Sequence, residues 1–116
     1  MTRQPLDAIV GEQLSSVEFV QDYVQLRFDG PYLTLYTYPA VKVGDSWHVG
    51  GAPGYRDLLC DRITKKVRSA AVVSEKEIRI EFEDGASISI ALCANGCRGP
   101  EAAMFQNTLE STWAVW

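Results

Sequence analysis

EIRIEFEDGASISIAL, residues 77–92, alternates apolar and polar side chains with period two. In an extended chain this puts Ile78, Ile80, Phe82, Ile88, Ile90 and Leu92 on one side and Glu77, Arg79, Glu81, Ser87 and Ser89 on the other. Residues paired across antiparallel strands must share a face, so the turn follows from parity. A two-residue Asp84-Gly85 turn would set Phe82 against Ser87 and mix the faces. A loop of Glu83, Asp84 and Gly85 instead pairs Phe82 with Ala86, Ile80 with Ile88 and Ile78 with Ile90. Gly85 then occupies the loop position that needs a positive φ, where the missing Cβ removes the steric penalty.

Working outward, YVQLRFDGPYLTL (residues 23–35) repeats the scheme, with Val24, Leu26 and Phe28 alternating before Asp29-Gly30 and Leu33 and Leu35 after it. Parity sets Phe28 against Leu33 across Asp29-Gly30-Pro31-Tyr32. The reverse side of the returning strand then carries Tyr32, Thr34, Tyr36 and Tyr38, where the later hairpin has only Ser87, Ser89 and Ala91. Upstream, residues 10–20 parallel residues 63–73, with Leu14 against Val67 and Val17 against Ala70. Downstream, PGYRDLL (53–59) and GPEAAMF (99–105) both read as short helices opened by Gly and Pro. The expectation is one domain, 1–116, of β-rich α+β class, made of two degenerate β-hairpin-helix repeats (about 10–59 and 63–105) and a C-terminal strand 112–116. They would form a mostly antiparallel sheet or partly closed barrel of about seven to nine strands.

Between the halves, residues 41–49 read as a hairpin around Gly44-Asp45-Ser46, with Val41, Val43, Trp47 and Val49 inward and Lys42 and His48 outward. Tyr55, Leu59 and Ile63 recur at helical spacing and predict a helix over 55–63 covering one face of the sheet. The terminal WAVW (113–116) reads as a strand that buries at least one Trp. The predicted core is Val24, Leu26, Phe28, Leu33, Leu35, Leu59, Ile63, Ile78, Ile80, Phe82, Ile88 and Ile90.

Of 116 residues, 47% are hydrophobic and 22% charged, the balance of an ordinary globular chain rather than a disordered one. The net charge of −4 disfavours non-specific nucleic-acid binding and suits a basic partner. Residues 1–14 lack the apolar run of a signal peptide, and no stretch reaches the ~18 apolar residues of a membrane span, so a cytoplasmic protein with no membrane partner is expected. Cys60, Cys93 and Cys97 cannot all pair within the chain, and reduced thiols fit best.

The pattern VEFVQDYVQLRFDGPYLTLYTYP (17–39), PGYRDLLC, GPEAAMF and terminal WAVW resembles small uncharacterised bacterial proteins of the domain-of-unknown-function type. In general character, small, acidic and β-rich, it is also similar to immunity proteins that neutralise bacterial toxins. Neither resemblance assigns a catalytic or binding residue.

Candidate chemistry is sparse. Cys93-x-x-x-Cys97 has a zinc-ligand spacing that Cys60 and His48 could complete, yet there is no second Cys pair, and two unrelated thiols account for it. Cys60 or Cys97 with His48 and Asp45 or Asp57 would make a thiolate site, but Cys60 follows Leu58 and Leu59 on a core-facing helix. Glu75, Glu77, Glu81, Glu83 and Asp84, balanced by Lys76 and Arg79, read as the wet face of a sheet rather than as a glycosidase pair. Residues 50–54 (GGAPG) lack the GK[ST] ending of a phosphate loop. Arg62, Lys65, Lys66 and Arg68 read as a solvated basic cluster. Neither catalysis, metal nor cofactor is expected. The binding candidates are Tyr32, Tyr36 and Tyr38, joined by Trp113 or Trp116, unless the tyrosine row packs under the short helices as a second core layer. The leading expectation is a non-enzymatic acidic protein-binding module in the manner of an immunity protein, with a homodimer left open. The alternative is a small ligand-binding or enzymatic domain with a pocket between the repeats, where Tyr36, Trp47 and His48 converge.

Overall fold

The computed structural model describes residues 5–21, 23–74, 76–92, 103–107 and 112–116. Their strands are β1 Ser16–Val20, β2 Tyr23–Arg27, β3 Tyr32–Leu35, β4 Ala40–Val43, β5 Ser46–His48, β6 Val67–Val73, β7 Glu77–Phe82, β8 Ser87–Ala91, β9 Ala103–Asn107 and β10 Thr112–Val115. A short 3-10 helix, Pro5–Ile9, precedes them, and one helix, α1 Tyr55–Cys60, lies between β5 and β6. The 77–92 hairpin forms as its parity requires. Ile78 pairs with Ile90 and Ile80 with Ile88, the Phe82 N–H donates to the Ala86 carbonyl at 2.9 Å, and Gly85 has φ 92°.

Two five-stranded antiparallel sheets result, ordered β1-β2-β3-β9-β10 and β5-β4-β8-β7-β6. Each half of the chain supplies a three-strand meander and a two-strand hairpin, and each hairpin joins the other half's meander, β4 on β8 and β9 on β3. The expected single sheet or partly closed barrel is therefore corrected to two open sheets. The reason is that both meanders carry a fully apolar inner face, and stacking two such faces buries both. The core joins Val24, Leu26, Leu33, Leu35 and Phe105 of the first sheet to Val41, Ile78, Ile80, Ile88 and Ile90 of the second, all fully buried. Every residue of the predicted core is buried except Ile63, which is half-buried against it.

The hairpin-helix repeat does not form. Residues 53–59 lead into α1, but Ala103 to Phe105 of the matching segment belong to strand β9, and residues 99–102 lie outside the described residues. Ala103 and Phe105 point inward with Met104 between them, a period-two pattern that the notion of a repeat masked. Helix α1 also stops at Cys60 instead of Ile63. Arg62 and Ile63 close tight turns onto Leu59 and Cys60, and Thr64 takes φ 79° so that its N–H reaches the Leu14 carbonyl at 2.7 Å.

Two registers differ from the parity reading. Leu26, not Phe28, faces Leu33, with Asp29 (φ 43°) and Gly30 (φ 134°) forming a two-residue turn closed by the Phe28 N–H on the Pro31 carbonyl at 2.8 Å. Both loops are even, so the faces stay as read. In the β4-β5 hairpin the faces reverse. Val43 pairs with Ser46 around Gly44-Asp45, so His48 shares the inner face of Val41 while Trp47 sits outside against Lys42. A three-residue edge strand carries too few inward side chains to hold a register against a favourable two-residue turn. Trp47 and Val49 are accordingly 44% and 59% exposed rather than inward.

Candidate functional site

The outer face of the first sheet is built by the residues that alternate with the core. Inward Val17, Leu26, Leu33, Phe105 and Ala114 form one cross-strand row, so the neighbouring row, Ser16, Arg27, Tyr32, Gln106 and Trp113, must point outward. A second outer row holds Glu18, Gln25, Thr34, Met104 and Val115, and Val20, Tyr23 and Tyr36 extend it towards one end.

These side chains hold one another in place. Arg27 Nε donates to Glu18 Oε2 at 2.6 Å and Arg27 Nη2 to Gln25 Oε1 at 3.0 Å, while Gln25 Nε2 donates to Thr34 Oγ1 at 3.1 Å. The Arg27 guanidinium lies 4.9 Å from the Tyr32 ring centre, and the Tyr32 hydroxyl donates to Gln106 Oε1. Thr34 is buried beneath this layer. Against it Trp113 is 66%, Tyr36 40% and Val20 40% exposed. The strands place one acid and one base on this face, Glu18 and Arg27, bonded to each other.

The expected tyrosine row is thus only partly a row. Tyr32 is half-buried on the outer face and Tyr36, just past β3, packs edge-on to Tyr23 with ring centres 6.5 Å apart. Tyr38 leaves the face altogether. Its ring lies 6.4 Å from Phe19 and 6.1 Å from Tyr55, directly over Gly50, where an added Cβ would come within 2.7 Å of Tyr38 Cδ2. Of the other candidates, Trp113 is the most exposed large hydrophobic side chain among the described residues, and Trp116 is half-buried, its backbone N–H bonded to the Ala103 carbonyl at 2.9 Å, so the tail is docked as expected.

Two clefts share Tyr38. One, of about 200 Å³, is lined by Tyr23, Tyr36 and Tyr38; the other, of about 350 Å³, by Tyr38, Gly51, Tyr55, Arg56 and Asp57. Trp47 and His48 line neither, so the predicted convergence of Tyr36, Trp47 and His48 in one pocket is not what the fold builds. Burial, then the charge of the neighbouring Tyr38 hydroxyl, raise the Tyr55 hydroxyl to about 12, and it donates to the Pro39 carbonyl. Burial, then Asp57 and Asp61, push the Cys60 thiol up, away from a reactive thiolate. Among the described residues no group of three or more His, Cys, Asp or Glu is placed to hold a metal. Cys93 and Cys97 lie outside the described residues. No helix among the described residues is long and apolar enough to cross a membrane.

Arg62, read from sequence as part of a solvated basic cluster, is instead buried, 6% exposed. Its Nη1 meets Asp84 Oδ2 at 2.6 Å and its guanidinium lies 5.6 Å from the Phe82 ring centre, anchoring the chain after α1 to the β7-β8 loop. Burial pushes the Asp84 carboxyl up, but the Arg62 hydrogen bond, the Ala86 N–H and the charges of Arg62 and Lys65 outweigh it and leave it below its usual value. Local sequence carries no sign of this, because the two partners are joined only through the fold. Searches against family models, curated proteins and solved structures find no significant match to this chain.

Proposed function

We propose that the protein is a non-enzymatic binding module that docks a protein partner on the outer face of the first sheet. The observation that carries this is Trp113, two-thirds exposed at the end of the pre-bonded Arg27-Tyr32-Gln106 row. Trp, Tyr, Arg and Met are the residues that concentrate in protein interfaces, and side chains already held in place lose little freedom on docking. The face is neutral, so its centre suits an uncharged, flat surface with aromatic or amide groups. The net charge of −4 would steer a partner with a basic rim. That combination agrees with a small acidic cytoplasmic protein acting in the manner of an immunity protein.

The test compares three immobilised proteins challenged with one lysate of the source cell: wild type, a Trp113→Ala, Tyr32→Ala double variant, and a Glu77→Ala, Arg79→Ala variant of the opposite face. A stoichiometric partner retained by the first and third and lost by the second supports the reading, since hot-spot truncations cost about 2 kcal/mol or more in binding. Retention by all three, with the double variant still folded, removes it.

A further inference from the structure

We infer that the outer edge of β6 accepts an added β-strand from a partner protein, an extended segment in which large apolar side chains alternate with polar ones. This surface lies on the second sheet and does not depend on the docking face proposed above.

β6 is the last strand of its sheet among the described residues, and its two halves differ. At its start the edge is taken. The Val67 N–H donates to the Glu12 carbonyl at 2.9 Å, the Gly11 N–H to the Val67 carbonyl at 2.8 Å, and a bulge between Val67 and Ser69 bends the strand. Beyond it, Ala70, Ala71, Val72 and Val73 contain no charge and no proline, the usual devices that keep an edge from pairing. Val72 and Val73 are 37% and 38% exposed. The direction of the backbone follows from the neighbouring hairpin. Phe82 exchanges its bonds with Ala86 of the β8 side, so Glu81, Arg79 and Glu77 bond towards β6, opposite Ser69, Ala71 and Val73. The N–H and C=O groups of Ala70 and Val72 therefore point away from the sheet.

Beside that edge is an apolar groove of about 260 Å³, lined by Leu6, Ala70, Val72, Ala114 and Trp116 with Asp7 at its side. Three of its lining residues, Ala70, Ala71 and Ala114, are alanine, which is what leaves the space. A dry cavity of about 150 Å³ already holds benzene, so the groove has room for a Phe, Leu or Ile side chain. In an added antiparallel strand the residues opposite Ala70 and Val72 would both exchange main-chain bonds with them and point to the same inner face, into the groove. Main-chain pairing beside a pocket for alternate side chains is how sheet edges recognise extended peptides. A second copy of this chain fits less well. Its own β6 would offer only Ala70 and Val72 to the groove, and it would bring together two chains of net charge −4.

The probe is a fluorescent synthetic peptide of the β7 sequence EIRIEF, titrated into the full chain by anisotropy. Saturable binding is expected, weakened at least tenfold in two ways: by Val72→Lys in the protein, and by N-methylation of the peptide at its two Ile positions, whose N–H groups would face β6. N-methylation at the Arg and second Glu positions, whose N–H groups would face water, should leave affinity within about twofold, as should Trp113→Ala in the protein. No binding, or equal loss from both methylation patterns, would overturn the inference. A concentration-dependent dimer abolished by Val72→Lys, without peptide binding, would replace the foreign strand with a second copy.

Discussion

The two sheets turn equally apolar faces to the core and quite different faces to water. On the second sheet, charges alternate with the core residues and meet along and across strands: Arg79 Nη2 bonds Glu77 of the same strand at 3.0 Å, Arg68 Nη2 bonds Glu81 of the neighbouring strand at 3.1 Å, and Ser89 and Ser69 donate to the same carboxylates. Lys42 covers Trp47, 5.9 Å from its ring centre. That face is complete as it stands in water. The first sheet spends the Glu18–Arg27 ion pair on itself and presents Tyr32, Tyr36, Met104, Val115 and Trp113 between amides. Two sheets of one core, under the same stability demands, need no such difference. An aromatic outer face adds little to folding while it stays wet, and its chemistry becomes useful only when something covers it.

The largest effect should come from beneath the aromatic face. Phe105 is fully buried between Leu33 and Ala114, and Phe105→Ala should cost about 3–5 kcal/mol in denaturant unfolding, the range for emptying a buried aromatic site. A loss below about 1 kcal/mol would mean that the two sheets do not share a tight core, and the comparison of their outer faces would lose its footing.

A smaller effect is expected at Arg62, the contact that joins the second sheet's central hairpin to the chain after α1. Arg62→Ala removes a hydrogen-bonded charge from a buried position but leaves Asp84 partly exposed, so about 2 kcal/mol is expected. The carboxyl of Asp84 is held below its usual value, so its contribution is present above the unfolded pKa near 3.8 and is lost as pH falls through the lower folded value. Wild type should therefore lose more stability than Asp84→Asn on acidification below about pH 4. Parallel acid curves for the two would show that the pair is not formed in solution.

The smallest effects sharpen the comparison most. Trp113→Ala and Tyr36→Ala should each change unfolding free energy by no more than about 0.5–1 kcal/mol, as should Glu81→Ala on the opposite face. If Trp113→Ala destabilises by several kcal/mol while Glu81→Ala does not, the aromatic face is already buried and cannot be a docking surface.

How much of this was readable residue by residue varies with length. The β7-β8 hairpin sets Ile78, Ile80 and Phe82 of β7 inward with Ile88 and Ile90 of β8, and its loop, register and Gly85 conformation all follow from parity. The β4-β5 hairpin has strands of four and three residues, and there the turn overrode the alternation and turned Trp47 outward. The likeness of GPEAAMF to PGYRDLL predicts a helix over Ala103 to Phe105, although their own alternation is that of a strand. In the candidate site Tyr32 and Tyr36 were legible from period two. Tyr38 was not, because β3 ends at Leu35 and the chain then turns towards Phe19 and Tyr55. The outer row that Tyr32 shares with Gln106 and Trp113 was invisible for another reason: β9 lies beside β3 across nearly seventy residues of chain.

By itself the sequence determined the faces of the long strands, the apolar core of the two meander hairpins and the docked C-terminal strand, because alternation is a local property and burial acts on each strand wherever it pairs. Only the tertiary structure decided which strands are neighbours. The exchange of hairpins between the two halves, the burial of Arg62 against Asp84 and the place of β6 beside its groove at the end of the second sheet, among the described residues, all depend on contacts distant in sequence. Such contacts are selected by how two apolar faces of given size and twist cover one another, and no window of neighbouring residues contains that information.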